Sequence, residues 1–190
     1  MKNQVPVEVS ARHVHLNQEA LEDLFGSDYN LTYRKELSQP GQFACYERVS
    51  VVGPKGRIDN VIVLGPLRPQ TQVEVSLTDA RMLGIEAFVR ESGDIAGTNG
   101  CELVSLTGST TIKNGVIAAK RHLHVNEEEA EQFGLKDKEV IGIEVANDTR
   151  SLVFNDVVVR VNPQFRGAVH IDTDEANAAA FSSGFGTIVK

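Results

Sequence analysis

Short runs in which apolar and polar residues alternate, or in which β-branched residues dominate, recur along the whole chain. Runs of this length predict β-strands, because a helix needs a longer stretch with a 3.6-residue period. The predicted strands of the first half are Val5 to Val9, Val49 to Val52, Val61 to Leu64 and Val73 to Ser76. Those of the second half are Gly115 to Ala119, Val140 to Val145, Leu152 to Phe154, Val157 to Val161 and Ala168 to Asp172. The pattern predicts a mainly β protein that closes into small barrels or sandwiches.

The predicted helices are few and short. Asn17 and Asn126 are N-cap candidates for helices over Gln18 to Phe25 and Glu127 to Phe133, which carry acidic residues in the first turn, where the helix dipole favours them. Thr78 and Thr173 are candidate starts of two more. The glycine-rich stretch from Arg90 to Gly100 is predicted to be a loop.

An internal repeat organises the sequence. Arg12 to Glu19 (RHVHLNQE) recurs as Arg121 to Glu128 (RHLHVNEE), and both copies continue through an acidic stretch to Phe-Gly. A weaker echo pairs Asp59-Asn60-Val61-Ile62-Val63 with Asn155-Asp156-Val157-Val158-Val159. We therefore predict a duplication, with residues 1–112 forming the first β-barrel half and residues 113–190 the second.

Composition narrows the class of protein. The 190 residues are 41% hydrophobic and 24% charged, which excludes disorder, and the net charge of -7 argues against nucleic acids or anionic membranes as partners. The longest nearly apolar stretch, Val61 to Leu67, is too short to span a membrane.

Cys45 and Cys101 are expected to be thiols in a reducing compartment. The chain starts almost directly with Val5-Pro6-Val7, without room for a targeting helix, so we expect a cytoplasmic protein.

Histidine is concentrated in the repeat. Four of the five histidines are His13, His15, His122 and His124, and in a strand the side chains at i and i+2 share a face. Each pair is therefore a two-imidazole clamp for a metal. The fifth, His170, occupies the place in the second half that Glu74 occupies in the first, as judged from the Val-x-Val/Ile frame around each.

These residues suggest two three-ligand metal groups. Taken alone, His170 fits a hydrogen-bonded structural residue better, but the duplicated pairs favour metal binding, because four unpartnered imidazoles would be costly. Imidazole with one carboxylate suits Zn²⁺ first, with Co²⁺, Ni²⁺ or Fe²⁺ as alternatives. The spacing is compatible with a catalytic or a structural metal.

Three arginines and the two cysteines are further candidate functional residues. Arg68 stands between Pro66 and Pro69, which fix its backbone, and a guanidinium held in this way suits phosphate or carboxylate, although a surface arginine on a turn is an equal alternative. Arg12 and Arg121 are predicted to be structural. Neither cysteine adjoins a histidine or is repeated, so covalent catalysis is not expected. The sequence has no nucleotide-binding glycine motif.

Several long motifs carry a family resemblance. They are VSARHVHL (residues 9–16), LSQPGQFA (37–44), GPLRPQTQVE (65–74), RESGD (90–94), RHLH (121–124) and HIDTDEAN (170–177). In this order and nearly end to end, the chain resembles the PduL-type phosphate propanoyltransferases, also called phosphotransacylases. The resemblance implies two similar β-barrels capped by short helices, with strand exchange left open, and a two-metal active site between them.

The resemblance also implies a role for each site residue. His13, His15 and Glu74 would hold the metal nearer the coenzyme A sulfur, while His122, His124 and His170 would hold the second metal, with Glu74 shared. Arg68 would bind phosphate, and two Zn²⁺ per chain and a homodimer are expected. Some members enter bacterial microcompartments of propanediol degradation through an N-terminal extension that this sequence does not show, so association by another route is left open.

The implied reaction is the reversible conversion of propanoyl-CoA or acetyl-CoA plus phosphate into acyl phosphate plus CoA, by direct phosphate attack. Two alternatives stay open at this point. One is a metal-dependent hydrolase of thioesters or phosphates, and the other is a non-catalytic binding or shell-associated protein in which zinc ties the halves together.

Overall fold

The structure is a computed structural model, and it describes residues 3–190. In chain order its elements are β1 (Gln4–Ser10), β2 (His13–His15), α1 (Gln18–Phe25), β3 (Tyr33–Glu36), β4 (Phe43–Val52), β5 (Arg57–Gly65), β6 (Gln72–Glu74), α2 (Leu77–Leu83), β7 (Phe88–Arg90), β8 (Asn99–Val104), β9 (Ser109–Ala119), β10 (His122–Val125), α3 (Glu127–Phe133), β11 (Val140–Val145), β12 (Leu152–Val161), β13 (Ala168–Asp172), α4 (Thr173–Ala178) and β14 (Gly184–Val189). The protein is mainly β with four short helices, as predicted.

The chain divides by contacts into two compact units. One unit comprises Arg12–Leu37 and Gly41–Ala119, and the other comprises the described residues up to Ala11 together with Ser38–Pro40 and Lys120–Lys190. The predicted halves, 1–112 and 113–190, are continuous in the sequence, whereas each of these units combines separate segments of the chain. The two divisions differ at the N-terminal strand, at residues 38–40 and at residues 113–119.

Each unit contains a closed barrel of six strands. In the N-terminal barrel the strands follow the order β4-β5-β2-β6-β9-β8, and β8 pairs back with β4, while β3 and β7 extend the sheet from β4 and β9. In the C-terminal barrel the order is β11-β12-β10-β13-β1-β14, and β14 pairs back with β11. Closure leaves neither ring with an unpaired strand edge.

The two barrels have the same topology. In both, the His-x-His strand pairs in parallel with the strand on one side and antiparallel with the strand on the other: β2 lies between β5 and β6, and β10 lies between β12 and β13. Strands β6 and β9 pair in parallel, as do β13 and β1. The repeat seen in the sequence is therefore a repeat of the fold.

The two barrels exchange one strand each. The strand that precedes β2 in the chain is β1, yet β1 pairs with β13 and β14 of the C-terminal barrel. The strand that precedes β10 is β9, and it pairs with β6 and β8 of the N-terminal barrel. Each barrel therefore contains the strand that precedes the other barrel's His-x-His strand in the chain.

The weaker sequence echo corresponds to a shared backbone feature. Asn60 and Asp156 both have positive φ values, 60° and 61°, in the left-handed region that Asn and Asp tolerate better than other non-glycine residues. The register with the neighbouring strand shifts beside both of them. The stretches Leu152 to Phe154 and Val157 to Val161, predicted as two strands, are consequently one strand, β12, which continues through this irregularity.

Alternation along the His-x-His strands sends their central residues into the cores. Val14 and Leu123 are fully buried, and each belongs to the hydrophobic core of its own barrel. Because side chains alternate across a strand, the histidines on either side of Val14 and Leu123 lie on the opposite face of the sheet. The histidines of each strand can therefore cluster on the face of the sheet that points away from the hydrophobic core.

The helices begin at their predicted caps. The side chain of Asn17 accepts a hydrogen bond from the backbone of Ala20, and that of Asn126 accepts one from Glu129, so α1 and α3 have the predicted bounds. Helix α4 begins at Thr173, as predicted, while α2 begins one residue before Thr78 because Ser76 is its N-cap. Among residues 3–190, no helix is long and apolar enough to cross a membrane.

The pattern did not predict four strands, namely β3, β7, β8 and β14. The predicted loop from Arg90 to Gly100 overlaps the end of β7 and the beginning of β8, and only residues 91–98 between these strands lack regular structure. These strands are short, exposed or glycine-containing, so their hydrophobic pattern is weak.

Candidate functional site

The N-terminal barrel brings together three of the predicted ligands. Antiparallel pairing of β2 with β6 sets His13 opposite Glu74 and His15 opposite Gln72, with all four side chains on one face. Ligand atoms of His13, His15 and Glu74 all lie within 4.8 Å of one another. His13 Nε2 is 3.5 Å from Glu74 Oε2. We call these three residues the first ligand group.

The first ligand group is buried, and burial and neighbouring charges shift the pKa values of two of its members. Burial, together with the charges of His13 and Arg68, lowers the pKa of His15 to about 2, so its imidazole is neutral. Burial alone would raise the pKa of Glu74, but His13 beside it and a hydrogen bond from Ser92 outweigh that effect and hold this pKa below its usual value. The group therefore combines a neutral imidazole with a carboxylate.

The C-terminal barrel repeats this arrangement with three histidines. Pairing of β10 with β13 sets His122 opposite His170 and His124 opposite Ala168. Ligand atoms of His122, His124 and His170 also lie within 4.8 Å of one another, and we call them the second ligand group. Glu74 and His170 therefore occupy equivalent positions, as the sequence frame indicated.

Two rings of the second ligand group have polar neighbours at Nδ1. His122 Nδ1 lies 2.7 Å from the backbone carbonyl oxygen of Lys120, which can only accept, so Nδ1–H is the donor. His170 Nδ1 lies 3.8 Å from Glu8 Oε2, and the Ser38 hydroxyl donates to the same carboxylate oxygen at 2.5 Å. Glu8 is on the exchanged strand β1, opposite His170 in register.

Arg68 is connected to the first ligand group through one hydroxyl. Its Nη1 donates to Ser92 Oγ at 3.0 Å, and Ser92 Oγ donates to Glu74 Oε1 at 2.8 Å. The backbone N–H of Arg68 donates to the carbonyl of Leu16, the residue that follows His15. The loop that carries the arginine is thus tied to the ligand strand and to a ligand side chain.

Arg12 and Arg121 make equivalent contacts in their own barrels. Arg12 Nε donates to Asp79 at 2.8 Å, and Arg121 Nε donates to Glu175. Asp79 and Glu175 are the acidic residues of the capping boxes that begin α2 and α4. Each arginine therefore ties the start of the His-x-His strand to a helix, in keeping with the structural role predicted for it.

Both cysteines are buried thiols. Burial raises the pKa of Cys45 to about 11 and that of Cys101 to about 12. A thiol with so high a pKa is protonated at neutral pH and is a poor nucleophile.

Three polar residues of the site were not predicted from the sequence: Gln72, Ser92 and Glu8. Gln72 is two residues before Glu74 on the same strand, so the i, i+2 rule could have placed it beside the ligand. Ser92 and Glu8 have no such local signal, because a loop and an exchanged strand bring them in.

The ligand groups pass a chemical test for a divalent metal. Two histidines with one glutamate, and three histidines, are both donor sets of catalytic zinc sites. His15 Nδ1 is buried and has no hydrogen-bond partner among residues 3–190, which is costly for a polar atom unless it has a ligand to bind. The residues present therefore fit one metal in each group.

Comparison with known proteins gives the family of the chain. The family model described as phosphate propanoyltransferase matches residues 6–182. A phosphate propanoyltransferase of Listeria monocytogenes is 51% identical over 187 residues, covering 98% of this chain and 87% of the relative. That of Thermotoga maritima is 52% identical over 178 residues, covering 94% and 85%, and that of Clostridioides difficile is 49% identical over 180 residues, covering 95% and 86%. The chain therefore belongs to the phosphate propanoyltransferase family.

Proposed function

We propose that the chain transfers a propanoyl or acetyl group between coenzyme A and inorganic phosphate, and that each ligand group holds one divalent metal, with Zn²⁺ the best match. One observation carries this proposal: Ser92 Oγ joins the Arg68 guanidinium to Glu74. An anion-binding side chain is thereby held one hydroxyl away from a metal ligand.

The chain's own residues have separate roles in this scheme. A metal in these groups, when bound, supplies Lewis-acid polarisation of the thioester carbonyl and stabilises the negative charge on the leaving sulfur. His13, His15 and Glu74 form one binding group, and His122, His124 and His170 form the other. Arg68 binds phosphate and orients it for attack. The sharing of Glu74 between two metals stays a prediction.

The reaction balances without an added reactant. A phosphate oxygen attacks the carbonyl carbon of acyl-CoA, so a C–O bond forms while the C–S bond breaks. The electron pair of the C–S bond leaves with the coenzyme A sulfur, which takes up the proton lost by hydrogenphosphate. The products are acyl phosphate and free coenzyme A, and the reverse reaction follows the same path.

The thiols of the chain support direct transfer. Cys45 and Cys101 are buried, and burial raises the pKa of both, so neither is suited to accept the acyl group. We therefore expect no exchange of radiolabel between coenzyme A and acyl-CoA when phosphate is absent. Exchange under those conditions would indicate a covalent intermediate and contradict direct attack.

The decisive assay is release of coenzyme A from propanoyl-CoA and acetyl-CoA, each with and without phosphate. We expect release only with phosphate, and a sharp loss with Arg68→Ala. Arg81→Ala is the matched control, because Arg81 is an exposed arginine of the same unit and its removal changes the net charge equally. Release without phosphate would instead favour the hydrolase, and no release from the metal-loaded protein would favour a non-catalytic role.

Metal content is tested on the same preparations. We expect two zinc ions per chain by elemental analysis, one after His15→Ala or His124→Ala, and none after both substitutions. Chelation should abolish phosphate-dependent release, and added Zn²⁺ should restore it. Full turnover by metal-free protein would contradict the two-metal proposal.

The proposed assembly rests on the family resemblance, and the proposed location rests on Cys45 and Cys101, which are free thiols as expected in a reducing compartment. We propose a homodimer, which light scattering of the purified protein would test. We propose the cytoplasm as its compartment, with association to a microcompartment open, and fluorescence of a tagged chain in cells would distinguish a diffuse from a punctate distribution.

A further inference from the structure

Gln72 is a buried amide whose hydrogen bonds are fully assigned. It is 2% exposed and lies on β6, opposite His15 and on the same face as Glu74. Its Nε2 donates to Glu74 Oε1 at 2.6 Å and to Ser92 Oγ at 2.9 Å, and its Oε1 accepts from the Gly93 N–H at 2.8 Å. The reversed amide would face a carboxylate oxygen with its own oxygen, so this network fixes its orientation.

These bonds distinguish the two oxygens of Glu74. Gln72 and Ser92 both donate to Oε1, whereas Oε2 is the oxygen that lies 3.5 Å from His13 Nε2. Two donors on Oε1 prevent the carboxylate from rotating freely. They leave Oε2 as the atom directed toward the imidazoles, as expected of a carboxylate that binds a metal through one oxygen.

The same bonds connect the arginine to this ligand. Ser92 Oγ has one proton, which goes to Glu74, and it accepts from both Gln72 and Arg68. Gln72 also holds the adjacent Gly93 N–H, where the backbone has a φ of 100°, so it fixes the turn that presents Ser92. Loss of the amide would release this turn. It would also remove one of the contacts that hold the Ser92 hydroxyl within hydrogen-bonding distance of the Arg68 guanidinium.

The second barrel shows that the shared fold does not require this residue. The position equivalent to Gln72 is Ala168, which lies opposite His124 just as Gln72 lies opposite His15. There the third ligand is His170, an imidazole, so that group contains no carboxylate that must be oriented. The position opposite the second histidine therefore carries a polar side chain in the N-terminal barrel, where a carboxylate and an arginine are held together. In the C-terminal barrel the same position carries only the methyl group of alanine.

We propose that Gln72 is a positioning residue that selects the Glu74 oxygen presented to the metal and, through Ser92 and Gly93, sets the place of Arg68 relative to that metal. This inference rests on the proposed function. It assigns Gln72 no direct contact with substrate; it acts through Glu74 and Ser92.

The test replaces Gln72 by methionine, which has a similar length and volume but cannot donate these hydrogen bonds. We expect the zinc affinity of the first ligand group to fall about 10- to 100-fold, as for other residues that orient a metal ligand, with the second group unchanged. Zinc affinity is measured by competition with a chromophoric chelator, which needs no activity. The KM for phosphate should rise while the KM for propanoyl-CoA does not.

Thr71→Val is the matched control. Thr71 is buried, adjoins Gln72 in the sequence and exchanges two hydrogen bonds with Asn17, neither of which involves the side chain of Glu74, Ser92 or Arg68. It should lower thermal stability without changing zinc affinity or the KM for phosphate. If Gln72→Met does not fold, Gln72→Asn keeps the amide but shortens its reach, and it should show the same changes to a smaller degree.

The outcomes separate this inference from the proposed function. Wild-type zinc affinity and an unchanged KM for phosphate in the Gln72 variants would overturn the role of Gln72 alone, as would equal effects of Thr71→Val. Failure of the wild-type chain to bind zinc, or to release coenzyme A in a phosphate-dependent way, would overturn the proposed function and this inference with it.

Discussion

Substitution of Glu8 tests whether the exchanged strand contributes to metal binding. Strand β1 brings Glu8 into the C-terminal barrel opposite His170, with its Oε2 3.8 Å from His170 Nδ1. A carboxylate at the outer nitrogen of a ligating imidazole holds the ring in place and increases its basicity. We predict that Glu8→Ala weakens zinc binding at the second ligand group, and that Glu8→Gln, which loses only the charge, weakens it less.

The structure sets the size of this effect. Loss of such an outer partner costs about 10- to 100-fold in metal affinity. Glu8 belongs at the lower end of this range, because its side chain is 37% exposed and 3.8 Å is longer than a direct hydrogen bond. We therefore expect about a tenfold loss, which corresponds to about 1.4 kcal/mol. Ser38→Ala should have a smaller effect in the same direction, since Ser38 donates to the same oxygen.

The assay is zinc competition with a chromophoric chelator. To isolate the second group, each substitution is also made together with His15→Ala, which removes a ligand from the first group. Glu131→Gln is the control, because Glu131 is an exposed acidic residue of α3 in the same unit and its substitution removes the same charge. Circular dichroism of each variant confirms that the fold is kept.

Two results would refute the reasoning. Wild-type zinc affinity at the second group in Glu8→Ala would show that the carboxylate does not act on His170. An equal loss in Glu131→Gln would show that only the net charge of the unit matters.

Three further predictions concern stability, each measured by urea or thermal unfolding. Burial raises the pKa of Glu47, but the Tyr29 hydroxyl and other donors lower it below its ordinary value, so Tyr29→Phe should cost about 1.5–3 kcal/mol at neutral pH. The pKa of Glu47 is lower in the folded than in the unfolded protein, so the stabilisation by its charged carboxylate is present above the unfolded-state pKa and is lost as the pH falls through the folded-state pKa. A cost of Tyr29→Phe that did not depend on pH would contradict this role of the Glu47 carboxylate. Leu123→Ala should cost about 2–5 kcal/mol, whereas Leu106→Ala, at a fully exposed leucine, should cost almost nothing. Gly186→Ala should destabilise by about 1–3 kcal/mol, because the added Cβ would lie 2.5 Å from a side chain of the neighbouring strand, and a neutral effect would contradict that packing.

The sequence was most informative where a local pattern repeats. The caps Asn17 and Asn126 act within three residues of themselves, so the bounds of α1 and α3 follow from the sequence. The His-x-His pairs share a face for the same local reason. The equivalence of Glu74 and His170 needed only the assumption that the second copy pairs its strands as the first does, and both pairs are in the same register.

The sequence was least informative where a residue acts through a distant strand or loop. Nothing near Glu8 indicates that β1 joins the second barrel, because a strand's partner depends on closure of the whole ring. Ser92 lies 18 residues from Glu74, on a loop with no hydrophobic pattern. Weakly patterned strands such as β3 and β14 are likewise formed by pairing with neighbours rather than by their own residues.

The two ligand groups share one frame and differ in the residues around it. Both barrels provide the same frame: a His-x-His strand, a third ligand opposite its first histidine, and an arginine that ties the strand to a capping box. Outside this frame the barrels diverge. The first adds Gln72, Ser92 and Arg68 around a carboxylate, whereas the second has Ala168 in place of Gln72 and the Glu8 carboxylate 3.8 Å from an imidazole. A repeat of one fold thus carries the frame for the two proposed metals, and the residues added to the first copy include Arg68, the arginine proposed to bind phosphate, which the second copy's frame does not include.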